Sequence, residues 1–135
     1  MRYFLTTLEE HYSWCNHPNR SSEPRPCMQV HYNIDSIEIE HIYPQNPSQV
    51  DDTLEPLKNT IGNLTFWSTT DNKSAGNNPF GLKQDYYSSS NIALTRDLAD
   101  LNDCNANTVQ NREELYKDMA VLVFGITENT VASGN

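Results

Sequence analysis

Two carboxylates and an imidazole lie at the end of a short β-branched segment. In the stretch IEIEHIYPQNP, residues 37–47, Glu38, Glu40 and His41 stand among isoleucines, and Pro44 prevents the extended backbone from continuing far. A neutral imidazole can accept a proton from water near neutral pH, and carboxylate oxygens are ligands that hard divalent cations prefer. These residue types could support acid–base or metal chemistry, which raises the question of why they stand at a strand end.

Regular strand geometry would separate these groups, because successive side chains point to opposite faces of a sheet. Glu40 and His41 could then not face one cation. The proline at position 44 predicts a local departure from the regular strand, either a bulge or the end of the strand, which would bring the two together. Glu38 shares the face of Glu40 by alternation and is a candidate supporting or alternative ligand.

The elements that must position these groups are a strand, a long connection, a second strand and a short helix. Three prolines and an acidic pair over residues 43–60 predict the connection. The segment IGNLTFW, residues 61–67, predicts the second strand, and a helix is expected over about residues 69–75. Asn63 then lies at the start of the second strand and Asn72 in the helix.

The remaining segments predict helices on both sides of this unit. The clearest helix lies near the C-terminus, where Thr108 can cap its start and Gly125 can end it, and Arg112 on this helix is expected to make a surface ion pair or to reach the site. We expect the following division: a helix over 1–15, a variable loop and strand over 16–35, the core over 36–77, a helical region over 78–126 and a frayed tail over 127–135.

Composition restricts the class of protein. The chain has 135 residues and a net charge of −9, which argues against broad adhesion to phosphate or to anionic lipid. It has no apolar run of about 18 residues and no signal-peptide pattern at its start, so we expect a cytoplasmic protein with no membrane partner. The three cysteines are an odd number at unrelated spacings, which is typical of reduced thiols.

The order of the motifs EHIYP, GNL and TTDNK resembles the HNH, or ββα-metal, endonuclease fold. Together with RYFLTTLEE, NPFGLK and NREELYKDMAVLVF, these motifs are similar to the C-terminal HNH domain of GmrSD-type restriction and phage-defence proteins. The resemblance covers most of the chain, excluding the loop at 16–27 and the tail. It implies an α+β fold whose ββα-metal core, a two-stranded hairpin and a helix, is flanked by α-helices at both ends.

The resemblance also implies a function. It predicts that residues 1–135 form a single nuclease domain, a C-terminal fragment of a larger protein, that nicks or cleaves DNA with one Mg²⁺ or Mn²⁺ ion. Phosphodiester hydrolysis needs a base, for which His41 fits, and oxygen ligands for the cation, for which Glu40 and Asn72 fit. The family pattern implies that Asn63 hydrogen-bonds across the loop and orients the histidine strand.

The DNA contacts must be local in so acidic a chain. Lys73, beside the helix asparagine, and Lys83, in the motif GLK, are the candidates for phosphate contact. The resemblance implies that the target is phage or modified DNA. It also implies that an N-terminal nucleotide-hydrolysing domain or subunit, absent from this chain, supplies recognition.

Two alternatives stay open. Each site residue taken alone has an ordinary explanation as a strand, turn or helix-surface residue, and the scaffold could serve as a non-catalytic module that binds nucleic acid or protein. Cys15, His17 and Cys27 supply three possible zinc ligands, but they lack a paired Cys-x-x-Cys knuckle and an evident fourth ligand. We therefore do not expect a structural zinc.

Overall fold

A computed structural model describes residues 1–27 and 32–125 of the chain. It has an α+β fold, as the sequence predicts, with the two strands in the middle of the chain and helices on both sides. In chain order the elements are α1 (Arg2–Glu10), α2 (Tyr12–Cys15), β1 (Ile37–His41), β2 (Leu64–Ser68), α3 (Thr69–Ala75), α4 (Phe80–Ser88), α5 (Ala93–Arg96) and α6 (Ala106–Phe124).

The two strands form an antiparallel pair. The register places Ile37 opposite Ser68 and His41 opposite Leu64, and the pairs between them follow one by one without an extra residue. The predicted departure at the site is therefore the end of β1 at His41, not a bulge.

Helix α3 follows β2 directly. The Ser68 hydroxyl accepts a hydrogen bond from the backbone N–H of Asp71 at 3.1 Å, which satisfies one of the unpaired N–H groups of the first turn. Gly76 ends the helix with a φ of 57°, a conformation that glycine adopts without steric cost. The helix predicted over residues 69–75 is confirmed.

The hydrophobic core joins the strands to the flanking helices. Side chains from α1, β2, α4 and α6 are buried together in it, including Leu5, Leu8, Phe66, Trp67, Tyr87 and Tyr116. Helix α6 packs closely on the turn Ile61–Asn63, where a Cβ built on Gly62 would lie 1.9 Å from the backbone oxygen of Val109. Only glycine fits this approach.

Several predicted details differ in the structure. The N-terminal segment forms two helices that meet at His11 instead of one helix over 1–15. Asn105, not Thr108, caps α6, since its Oδ1 accepts from the N–H of residue 108 at 3.0 Å, whereas Gly125 ends α6 in the left-handed conformation as expected.

Part of the predicted extended segment, residues 28–31, and the predicted tail at 127–135 lie outside the described residues. Within residues 1–27 and 32–125, no helix has both the length and the apolar character needed to cross a bilayer.

Candidate functional site

A cleft of about 190 Å³ lies where β1 ends. It is bounded by the last residues of β1, the start of the long connection, and helix α3 with the turn that follows. Three of the predicted site residues, Glu40, His41 and Asn72, line it together. The other lining residues are Ile39, Pro44, Gln45, Gly76 and Asn77.

Glu40 is a buried carboxylate with only one oxygen satisfied. Its side chain is 3% exposed, and its Oε1 lies 2.8 Å from the Lys83 ammonium. Its Oε2 is buried and has no hydrogen-bond partner among the described residues. Burial raises the pKa of Glu40 to about 7, while the neighbouring Lys83 acts in the opposite direction. An unsatisfied buried oxygen of this kind is costly in an apolar setting, and a cation would satisfy it.

Lys83 is fully buried and fixes the end of β1. Its ammonium group donates to Glu40 Oε1 at 2.8 Å, to the carbonyl of His41 at 2.9 Å and to the carbonyl of Ile42 at 3.4 Å. The prediction that Lys83 contacts DNA phosphate is therefore wrong, because its side chain is 0% exposed and its charge is paired inside the protein.

A pattern in the sequence could have identified this lysine as buried. Phe80, Lys83 and Tyr87 recur at steps of three and four residues and share the buried face of α4.

His41 is half-buried at the last position of β1. Its Nε2 lies 3.1 Å from the Oδ1 of Asn59, a residue that the sequence analysis did not single out. An amide oxygen only accepts hydrogen bonds, so this contact requires the tautomer with the proton on Nε2, in which Nδ1 can accept a proton.

Asn63 is completely buried and ties together the two ends of the long connection. Its side-chain oxygen accepts from the N–H of Tyr43 at 2.8 Å, and its side-chain nitrogen donates to the carbonyls of Tyr43 at 3.0 Å and Lys58 at 2.8 Å. Its backbone carbonyl also accepts from the N–H of Ile42 at 2.9 Å. These bonds hold the segment that directly follows His41.

Asn72 is held at both ends of its amide. Its Oδ1 accepts from the indole N–H of Trp67 at 3.1 Å, and its Nδ2 donates to Glu38 Oε2. The oxygen keeps one lone pair for a further partner. Glu38 thus contacts the side chain of Asn72. Lys73, the residue that follows Asn72 on α3, is exposed to solvent.

Arg112 is buried, in contrast to the expected surface ion pair. Its Nε donates to the carbonyl of Gly62 at 2.9 Å, and one terminal nitrogen donates to the carbonyl of Leu64 at 3.3 Å and to the Tyr116 hydroxyl. Arg112 therefore fixes the backbone on both sides of Asn63 from helix α6.

The donor set of the cleft suits a hard cation. Across residues 1–27 and 32–125, no three His, Cys, Asp or Glu side chains form a group that could hold a metal by themselves. A cation here would use Glu40 Oε2, which has no partner in the described part of the chain, and the amide oxygen of Asn72, with water and substrate oxygens completing its shell. Oxygen ligands with several waters are typical of Mg²⁺ and related ions.

The chain matches a known protein family over most of its length. The family model described as the C-terminal domain of GmrSD restriction endonucleases matches residues 1–119. No curated protein matches the chain.

Proposed function

The chain belongs to the family of GmrSD restriction endonuclease C-terminal domains, and from this premise we propose that it is a metal-dependent HNH endonuclease domain that hydrolyses a phosphodiester bond in DNA. The observation that carries the proposal is the meeting of Glu40, His41 and Asn72 along one cleft. Among the described residues, the buried Glu40 Oε2 has no hydrogen-bond partner.

The cleft residues divide into two roles. Glu40 and Asn72 would hold one Mg²⁺ or Mn²⁺ ion, which when bound supplies positive charge to stabilise the transition-state phosphorane and the leaving oxygen. His41 takes the proton of the attacking water at Nδ1, because Asn59 engages Nε2.

Two further residues keep this arrangement in place. Asn63 fixes the chain that follows His41, and Glu38 fixes the amide of Asn72.

Substrate selection is proposed to come from elsewhere in the full protein. Exposed Lys73 beside the cleft can contact a phosphate, but a domain with a net charge of −9 repels the rest of the duplex. We infer that a nucleotide-hydrolysing N-terminal domain or subunit delivers phage or modified DNA to this cleft, in the cytoplasm.

The ion pair of Glu40 with Lys83 favours a second candidate function. Lys83 already neutralises the carboxylate, so the cleft could persist without a metal in a module that binds DNA or protein and does not cleave.

A plasmid-nicking assay with and without Mn²⁺ distinguishes the nuclease from the non-catalytic binding module. The first proposal expects nicking that requires Mn²⁺, and His41→Ala should lower its rate by about a hundredfold to ten-thousandfold.

The control is His17→Ala, since His17 is exposed in the loop after α2 and far from the cleft in sequence. Its rate should equal that of the parent. If the His41 variant nicks as fast as the parent, His41 is not the base. If the parent binds DNA and never nicks it with any divalent ion, the non-catalytic function is correct.

A further inference from the structure

A second and larger groove adjoins the cleft. It measures about 430 Å³ and lies between the connection after β1 and the start of α4. Pro44 and Asn77 line both this groove and the cleft, so a molecule in one is next to a molecule in the other. We call it the side groove.

The walls of the side groove combine apolar side chains with polar ones, and the apolar part is already formed. Tyr43, Leu54 and Phe80 line it and are themselves buried in the protein. Tyr43 is fixed by its hydroxyl, which donates to Glu55 at 2.7 Å and accepts from the N–H of Asp51 at 3.0 Å. The volume is within the range of about 300–1,000 Å³ that is typical of small-molecule pockets.

The charges at the side groove exclude a phosphate. Asp51 and Asp103 both line it, and no Lys, Arg or His among the described residues does so. Two carboxylates repel an anion but accept hydrogen bonds from amino groups. Apolar side chains together with two carboxylate acceptors suit an uncharged, flat ring that carries an amino group.

We propose that the side groove receives an unpaired nucleobase, preferably one with an exocyclic amino group, from the nucleotide beside the phosphate in the cleft. The proposal rests on the proposed function, since the strand in the cleft is what places a base next to the groove. A base in a duplex is stacked and paired, and it must leave the stack to enter a pocket. The domain therefore acts preferentially on DNA with an unpaired base next to the cut.

One position allows the groove to be filled without disturbing the fold. Gly81 lines the groove in the first turn of α4, and a Cβ built on it meets no atom of the described residues within 4 Å. Gly81→Phe therefore adds a ring at the groove without a clash at its Cβ, and we expect the ring to occupy part of the groove. The matched control is Leu82→Phe, since Leu82 is the next residue of the same helix, is 65% exposed and does not line the groove.

The first experiment does not depend on nuclease activity. Deoxyadenosine, thymidine and inorganic phosphate are titrated separately into the protein, and amide shifts are followed by NMR. Deoxyadenosine should shift the amides of Val50, Asp51 and Gly81, thymidine should bind more weakly, and phosphate should leave these amides unchanged. Gly81→Phe should weaken deoxyadenosine binding by about tenfold or more, as expected for losing a stacked base, and Leu82→Phe should not.

Absence of these shifts at millimolar deoxyadenosine, or equal binding by the Gly81 variant, would overturn the proposal.

The second experiment measures cleavage. With Mn²⁺, a duplex with one unpaired adenine should be nicked about tenfold faster than the fully paired duplex, and Gly81→Phe should remove this preference while Leu82→Phe keeps it. Equal rates on both duplexes with the parent protein would refute the base pocket and leave the nuclease assignment intact. If no DNA is nicked at all, the proposed function fails, and the nucleoside titration alone decides whether the groove binds a base.

Discussion

Replacing Lys83 by methionine tests the buried ion pair at the site. Methionine has a similar length and no charge, so Lys83→Met removes the ammonium group and leaves an apolar side chain in its place. The substitution leaves Glu40, whose side chain is 3% exposed, without the positive charge that it is paired with. It also removes the hydrogen bond to the carbonyl of His41.

The structure sets the expected size of the effect. Removing one member of a buried ion pair typically destabilises a protein by about 3–5 kcal/mol, because the remaining charge stays buried. For a chain of this length, a loss of this size lowers Tm by about 10 °C or more.

The matched control is Lys117→Met. Lys117 lies 3.5 Å from Glu114, and the two side chains are 61% and 71% exposed. Exposed pairs contribute at most about 1 kcal/mol, so this variant should unfold almost like the parent.

The pH dependence of the free energy of unfolding distinguishes a buried, unpaired carboxylate from a loss of packing. Burial raises the pKa of Glu40 from its ordinary 4.5 to about 7 although Lys83 opposes the shift. A carboxyl whose folded pKa lies above its unfolded pKa contributes stability at low pH, and this contribution is lost as the pH rises through the folded value. Without Lys83 the folded pKa is higher, so the loss continues to higher pH.

Urea unfolding at pH 6 and at pH 9 measures this difference. The destabilisation of Lys83→Met relative to the parent should be larger at pH 9, by about 1.4 kcal/mol for each unit by which the substitution raises the Glu40 pKa. The double variant Glu40→Gln with Lys83→Met carries no stranded charge and should not show this widening. Equal losses at both pH values, or a loss no larger than that of Lys117→Met, would refute the argument that Lys83 compensates a buried carboxylate.

Three further predictions follow from the contacts of single residues. Gly62→Ala should lower Tm strongly, since its Cβ would lie 1.9 Å from the Val109 carbonyl oxygen. Gly81→Ala should not lower Tm, since no atom of the described residues lies within 4 Å of a Cβ built there. Equal Tm values for the two variants would disprove the close approach of α6 to Gly62. Asn72→Ala should weaken Mn²⁺ binding in calorimetry, with nicking partly restored at higher Mn²⁺, and an unchanged affinity would remove this residue from the metal ligands. Lys73→Ala should weaken duplex binding but leave the Mn²⁺ affinity unchanged. The parent should show a shallow slope of log duplex affinity against log salt concentration, about −1 to −2, and a slope steeper than about −6 would reveal a basic surface.

Local signals predicted the elements that carry the site. The β-branched run before His41 and Pro44 placed the end of β1. The helix expected over residues 69–75 is α3, and its end signals are local as well, since the Ser68 hydroxyl caps it and Gly76 ends it. The capping of α6 shows the limit of such signals. Asn105 and Thr108 are both good caps, and the choice between them depends on where the preceding loop enters the helix.

Local sequence patterns did not predict the contacts of Lys83 and Arg112, because their partners lie far away in the sequence. Lys83 was predicted to contact DNA phosphate, yet its ammonium group donates to Glu40, 43 residues earlier in the chain. Arg112 was expected to make a surface ion pair or to reach the site, and it donates to the carbonyl of Gly62, 50 residues earlier in the chain. No local pattern predicts which residues pair across such long stretches of sequence. The spacing of Lys83 between two aromatic residues of α4 does, however, indicate that it lies on the buried face of this helix.

These long separations have a consequence for how the chain folds. Glu9 of α1 accepts from the N–H of Ala93 at 2.6 Å, across 84 residues, and the bonds of Lys83 and Arg112 span 43 and 50. Contacts between distant residues stabilise the protein only after the intervening chain has closed, which slows folding relative to a helical protein of equal length. During synthesis, the backbone around Asn63 therefore gains its Arg112 contacts only after α6 has left the ribosome, and the completed cleft is a property of the finished domain.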